Sequence, residues 1–205
     1  LIFSNFKKKE MNNINVNDVI KNRRSIYPHQ FNKSEISDDI IQLLLENANF
    51  APTHKLTQPW RFKVLKKKAK IQLGEFLSTI YVENNPLKKS TDIKLKKIKQ
   101  KCEDSSVVLI ICMQRDENKS VPEWEEIAST AMSVQNIWLS CSQFGIGCYW
   151  SSPKSINKIN ELINLNEGER CLGFLYMGYF DQNTKFNYQR NSIDEKVEWI
   201  QDFKN

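Results

Sequence analysis

Apolar residues at Ile40, Ile41, Leu44, Leu45 and Ala48 recur three and four positions apart and predict an amphipathic helix. Ser37 suits the N-cap of that helix, and Asp38 and Asp39 place carboxylates in its first turn, where they oppose the helix dipole. A shorter helix over Asn15 to Asn22 ends at the basic pair Arg23-Arg24, and Pro28 stops any continuation. Apolar runs predict strands at Arg61 to Leu65, Val107 to Met113 and Leu172 to Gly178, with Ile146 to Tyr149 also strand-like. Further helices are expected around Lys68 to Ile80, Pro122 to Gln143 and Ser155 to Ile163. This alternation predicts an α+β fold layered around one sheet.

Two stretches depart from ordinary amphipathic patterning. From Ile127 to Pro153 no residue is charged, whereas at the chain's overall 26% charge about seven charges would be expected there. Ser129, Thr130, Ser133, Gln135, Asn136, Ser140, Ser142 and Gln143 interrupt every long apolar run, which argues against a membrane span. The pattern predicts a helix buried all round, with Ile127, Ala131, Val134, Trp138 and Cys141 on one side and Ala128, Met132 and Leu139 on others. It is either a central core helix or one shared with a second subunit. The second stretch, Pro86 to Lys101, holds seven lysines and one aspartate and is expected to be a solvated helix or loop outside the core.

Length and composition narrow the picture. At 205 residues and 40% hydrophobic, the chain is expected to form one domain over residues 12–205, with residues 1–11 a poorly ordered extension. The first ten residues lack the apolar core and small-residue cleavage pattern of a signal peptide. Five cysteines, Cys102, Cys112, Cys141, Cys148 and Cys171, form no CxxC pair and mostly sit in apolar runs. They read as buried free thiols in a reducing, cytoplasmic setting. The net charge of +6 follows a broad Lys-rich bias without basic and aromatic residues interleaved in a motif, so no nucleic-acid partner is expected.

Candidate chemistry concentrates in a few places. Between the helix ending near Ala51 and the strand after Pro59, the turn Ala51-Pro52-Thr53-His54-Lys55-Leu56-Thr57-Gln58-Pro59 is bounded by prolines, a loop type that carries binding groups or merely connects elements. With six glycines, and only Gly145-Ile146-Gly147 resembling a fragment of a dinucleotide loop, the chain offers no glycine-rich phosphate cradle. Arg23 and Arg24 instead supply guanidinium forks suited to phosphate oxygens, Ser25 adds a hydroxyl, and Arg190 precedes a C-terminal segment able to wrap back. The plainer reading of Arg23-Arg24 is favourable charge at a helix C-terminus. His29 is the only other histidine besides His54, and no spacing completes a metal site, which leaves His54 as a hydrogen-bonded structural residue or a ligand contact. No nucleophile elbow, catalytic carboxylate pair or Ser/His/Asp set is readable.

Arg23-Arg24-Ser25, Ala51-Pro52, Gln58-Pro59-Trp60-Arg61-Phe62 and Gly173-Phe174-Leu175-Tyr176-Met177-Gly178-Tyr179 together resemble, in order and spacing, the flavin-dependent nitroreductase family. His54-Lys55 and Val121-Pro122-Glu123-Trp124-Glu125 resemble its compact branch related to bacterial YdjA proteins. The resemblance runs from Asn12 to about Gly178. It implies a mixed or antiparallel sheet flanked by helices and an intertwined homodimer with FMN at the subunit interface. It implies FMN contacts from Arg23, Arg24 and Ser25, from His54 and Phe50, and from Trp150, Ser151 and Ser152 beside the isoalloxazine ring, with Arg190 a second phosphate-binding arginine. The other reading of Tyr149-Trp150 is an aromatic core strand. Related chains can carry arginine where Ser151 stands.

The function implied is an NAD(P)H oxidoreductase that reduces nitroaromatics, quinones or similar small electron-poor acceptors in a ping-pong cycle, with NADH or NADPH as donor. The flavin carries the chemistry and no side chain is expected to be catalytic. A flavin enzyme specific to one metabolite, and a flavin-binding redox protein with little turnover, are the alternatives.

Overall fold

Strands β1 (Trp60–Leu65), β2 (Val107–Gln114), β3 (Ile146–Ser151) and β4 (Glu169–Tyr179) pair into one sheet in the order β1-β2-β4-β3. A computed structural model describes residues 15–85, 92–184, 186 and 189–202. All three pairings are antiparallel, with Trp60 opposite Met113, Val107 opposite Met177 and Ile146 opposite Tyr179. Alternating side chains on a strand point to opposite faces, so the central strand β2 is buried on both. Val107, Leu109 and Ile111 join one apolar core, and Val108, Ile110 and Cys112 join the other. This accounts for the unbroken apolar run that made β2 legible.

Helices cover both faces. The first core contains Ile41, Leu44 and Ala48 of α2 (Asp38–Ala48) and Val134, Ile137 and Cys141 of α5 (Glu123–Cys141). The second contains Leu73 and Leu77 of α3 (Lys67–Glu83) and Cys102 of α4 (Asp92–Asp104). Ser37 caps α2 as expected, its hydroxyl accepting from the Ile40 N–H. Leu44 is 1% exposed, and truncating it to alanine should cost about 2–5 kcal/mol.

A short helix α1 (Val16–Asn22), N-capped by Asn15, leads into the Arg23–Ile26 segment. That segment lies along β3: Ser25 forms a parallel bridge to Cys148, and the Ile26 N–H donates to the Cys148 carbonyl at 3.0 Å. Gly147 permits the approach, because a Cβ there would sit 2.6 Å from Cβ of Ile26.

Three expectations need correction. The segment predicted as a helix at Ser155 to Ile163 is a run of 3₁₀ turns over Lys154–Glu161, anchored by buried Ile159. The lysine-rich stretch is helical from Asp92 onward and does reach the core, with Leu95 and Ile98 half-buried and Cys102 fully so at helical spacing. Its residues 86–91, like the predicted extension 1–11, lie outside the described residues. Within one chain α5 is also not buried all round. Ser129, Thr130, Ser133, Val134, Ile137 and Cys141 face inward, while Met132 and Gln135 are exposed.

Among the described residues no helix is long and apolar enough to cross a membrane.

Candidate functional site

The predicted site residues fall into two groups at opposite ends of α5. At its C-terminal end, Arg23 ends α1 and its guanidinium lies over the Trp138 ring, 4.8 Å from the centroid. The Trp138 indole N–H donates to the Arg24 carbonyl at 3.1 Å, so one α5 side chain positions both arginine residues. Burial first, and then the like charges of Arg190 and Arg24, lower the Arg23 guanidinium below its usual pKa. The charge of Arg190, 167 positions along the chain, is thus felt at Arg23. No carboxylate pairs with Arg23 among the described residues. Arg24 behaves differently: its Nη1 donates to the carbonyls of Lys21 and Arg23 at 2.6 and 2.7 Å, the helix-end role of the plainer reading. Arg23 and Arg24, with Ile26, Trp138 and Ile146, line an open cleft of about 710 Å³. Ser25 is exposed beside it.

At the other end of β3 the alternation of the strand separates Trp150 from Ser151. Trp150 turns to the α2/α5 core, with its indole N–H 3.4 Å from the Leu172 carbonyl. Gly173, at φ +142°, makes room for it, since a Cβ there would meet the indole nitrogen at 2.5 Å. Tyr149 packs on the α3/α4 side, and Ser151 lines a second pocket of about 410 Å³ with Tyr176, Leu77 and Tyr81. Ser152 is exposed. Ile146 borders the first cleft and Ser151 the second, five strand positions or about 17 Å apart.

Phe50 and His54 form the second group, beside the N-terminal end of α5. Phe50 is 84% exposed. His54 Nδ1 lies 2.6 Å from the Glu125 carboxylate, and Lys55 Nζ donates to the Ser120 carbonyl at 3.0 Å, which straps the turn to α5. Thr53 Oγ1 accepts from the Gln58 N–H, and Trp60 donates its indole N–H to Asn49, closing the turn onto α2. Lys55, Leu56 and Gln58 all have φ between 43° and 54°, an arrangement that non-glycine residues adopt only when surrounding contacts impose it. His54 is thus hydrogen-bonded, and its Nε2 has no protein partner among the described residues. Glu125 and Trp138 are 13 positions apart on α5, about 20 Å, so the two groups do not meet within one chain.

Below His54, buried Glu126 pairs with Arg115 and accepts from the Asp116 N–H, fixing the start of α5. The five cysteines are free and buried, and burial pushes the Cys102 thiol up to about 12, which keeps it protonated and unreactive. No cluster of three or more His, Cys, Asp or Glu suited to a metal occurs among the described residues.

Sequence reasoning placed Trp138 in the apolar helix but not under Arg23, and did not assign Glu125 as the partner of His54. It also missed the pocket around Tyr81 and Tyr176. Only the Val121 to Glu125 motif carried a signal for any of these.

Residues 20–179 match the family model described as "Nitroreductase family", and the chain belongs to that family. It is similar to YfhC of Bacillus subtilis (strain 168), provisionally named an NAD(P)H nitroreductase, at 29% identity over 80% of this chain and 84% of that protein. The similarly named YdjA of Escherichia coli (strain K12) is 25% identical over 67% of this chain and 74% of its own. Among solved structures, a nitroreductase-like family protein from Bacillus cereus superposes with a TM-score of 0.77 at 27% identity, covering 91% of this chain and 96% of that one. The FMN-dependent nitroreductase NfnB from Mycobacterium smegmatis, solved with NADPH, shares the fold at a TM-score of 0.72 and 15% identity, covering 90% and 97%.

Proposed function

We propose that this protein is an FMN-dependent NAD(P)H oxidoreductase that acts as a homodimer on nitroaromatics, quinones or similar electron-poor acceptors. The observation that carries the reading is Arg23, held over Trp138 at the edge of an open cleft of about 710 Å³ and within electrostatic reach of Arg190. A part-buried guanidinium without a carboxylate partner among the described residues, in the field of a second arginine, suits an anion with several oxygens. The FMN phosphate is such an anion, and NfnB, which has this fold, is FMN-dependent.

In this reading Arg23 and Arg190 hold the phosphate, Trp138 keeps Arg23 in place, Ser25 adds a hydroxyl, and Ser151 and Ser152 lie toward the ring. When bound, FMN supplies the redox chemistry, taking hydride equivalents from a nicotinamide and giving them to the acceptor. The protein's part is to bind, orient and exclude water, which agrees with the lack of a readable acid or base in the motifs. Donor and acceptor use the same flavin face in turn, so ping-pong kinetics are expected.

Support for the dimer comes from α5. Its outward face, Ala128, Ala131, Met132, Gln135 and Leu139, carries no charge and is only partly covered within the chain. Two copies packing these faces antiparallel about a two-fold axis would lay the His54 end of one helix against the Arg23 end of the other. His54 of the partner subunit, held by its glutamate, then completes the site, with Phe50 of the partner subunit beside it. The C-terminal segment fits the same assembly, with Trp199 86% and Ile193 66% exposed as though made to cover another surface.

The test is spectroscopic. Purified protein should show oxidised-flavin absorbance, bleach with NADH or NADPH, recover on adding a quinone, and sediment as a dimer. A colourless protein that does not take up added FMN would remove the proposal, and a monomer with FMN bound would remove its shared site.

A further inference from the structure

The pocket beside Ser151 has a composition that the reading above does not use. Its apolar and aromatic wall is Leu77 and Tyr81 from α3, Ile98 from α4 and Tyr176 from β4, with Asn84, Asn85 and Ser155 as polar neighbours. Its charged lining is entirely positive, with Lys94 and Lys101 from α4 and Lys154 from the following 3₁₀ run. Lys101 is half-buried, with its ammonium 5.5 Å from the Tyr149 ring centre, and Lys94 lies 5.8 Å from that of Tyr81. Neither pairs with a carboxylate among the described residues, whereas Lys63, Lys66 and Lys158 each do. Burial first, and then the charge of Lys94, lower the pKa of Lys101.

A half-buried cation without a counter-charge, over an aromatic wall, favours a ligand that is flat, apolar and negatively charged. The volume of about 410 Å³ suits a molecule of one or two rings. Ser151 connects the pocket to the edge of β3 assigned to the flavin ring.

We propose that this pocket is the acceptor subsite and that Lys101, assisted by Lys94, selects electron-poor aromatics carrying a carboxylate. The inference rests on the oxidoreductase reading for the reaction but not for the binding. Lys101 stays protonated and donates a charge-assisted hydrogen bond to the carboxylate, away from the reacting group. For a nitro acceptor the two-electron step balances as ArNO2 + NAD(P)H + H+ giving ArNO + NAD(P)+ + H2O, with the carboxylate unchanged.

The experiment uses the FMN-loaded protein with two acceptors of nearly equal shape, 4-nitrobenzoate and 4-nitrobenzamide. In Lys101→Gln, kcat/KM should fall about 10-fold for the benzoate and change by less than about 2-fold for the benzamide. Lys101→Arg should retain most of the preference, and Lys94→Gln should lose less of it than Lys101→Gln. Calorimetric binding of benzoate, which cannot be reduced here, should weaken by a similar factor in Lys101→Gln without any turnover. Equal loss on both acceptors, no loss on either, or a rise confined to the KM for NAD(P)H would overturn the assignment, the last by giving the lysines to the nicotinamide phosphates. A parent protein that binds no FMN would fail the functional reading instead. Benzoate binding that depends on Lys101 would still stand in that case, and its absence would overturn the pocket independently.

Discussion

Helices α4 and α5 flank the same sheet on opposite sides, and their outward faces follow different rules. On α4 the exposed positions include Lys94, Lys96, Lys97 and Lys99, while Leu95, Ile98 and Cys102 turn toward the core and Lys101 is half-buried. On α5 the outward face from Ala128 to Leu139 is uncharged although Met132 is 39% exposed. A helix that meets only water is expected to carry charge there. The contrast fits the proposed assembly, in which α5 meets a second subunit and most of the α4 lysines meet water. The inward face of α5 is small and polar for the same packing reason. Thr130 and Ser133 return their hydroxyls to carbonyls of the helix itself, at 2.9 and 2.7 Å, and so lie flat against the sheet without unpaired groups.

The contrast breaks most directly at Leu139. Leu139→Asp would bury an unpaired charge twice per dimer, at several kcal/mol, and sedimentation should show monomer or aggregate with flavin lost. Dimers that retain flavin would mean that the bare face of α5 meets nothing. Next in size is Glu126→Ala at the start of α5, which strands the Arg115 guanidinium. A cost of roughly 3 kcal/mol in denaturant unfolding is expected, at the low end for a buried pair because Arg115 is 20% exposed.

Arg23→Ala tests the far end of the same helix. FMN affinity should fall about 10- to 150-fold, equivalent to roughly 1.5–3 kcal/mol, with the folded state intact by circular dichroism. Unchanged affinity would reduce Arg23 to a helix-end residue like Arg24.

A smaller, pH-dependent effect is expected at Glu169, whose side chain is fully buried with Lys63 Nζ 2.7 Å away. Burial alone would raise its pKa, but Lys63 and the Asn166 N–H outweigh that and hold the carboxyl below its ordinary value. Its contribution to stability is therefore complete above the unfolded pKa of about 4.3 and is lost as pH falls through the lower folded value. Urea midpoints of the parent and Lys63→Gln should differ at pH 7 and converge toward pH 3; a constant difference would rule the pair out as the cause. The smallest effect belongs to α4, where Lys97→Gln should change stability by no more than about 0.5 kcal/mol.

Much of this architecture was legible because it is coded locally. The Ile40 to Ala48 stripe, the Ser37 cap and the β2 run each depend on neighbours within one or two turns. Boundaries shifted where tertiary contacts extend an element, as when β4 begins at Glu169 instead of Leu172 because Glu169 and Arg170 pair with Gln114 and Met113. The Lys154–Glu161 run has the apolar spacing of a helix, but it forms 3₁₀ turns while anchored through Ile159. No local rule foresees that. At the site, Arg23 and His54 stood out by motif, yet the strand period of two that sends Trp150 and Ser151 to opposite faces acts only once β3 is paired.

By itself the sequence determined where most helices and strands lie, that no glycine loop cradles phosphate, and that one long helix runs without charge from Ile127 onward, since propensity, capping and periodicity act over a few residues. Tertiary structure alone decided that Arg23 would feel the charge of Arg190, that Trp138 would lie beneath a guanidinium, and that Lys94 and Lys101 would line one pocket with no carboxylate partner among the described residues. These are convergences of side chains remote in sequence, and their geometry depends on sheet register and helix packing, which no short stretch of the chain encodes.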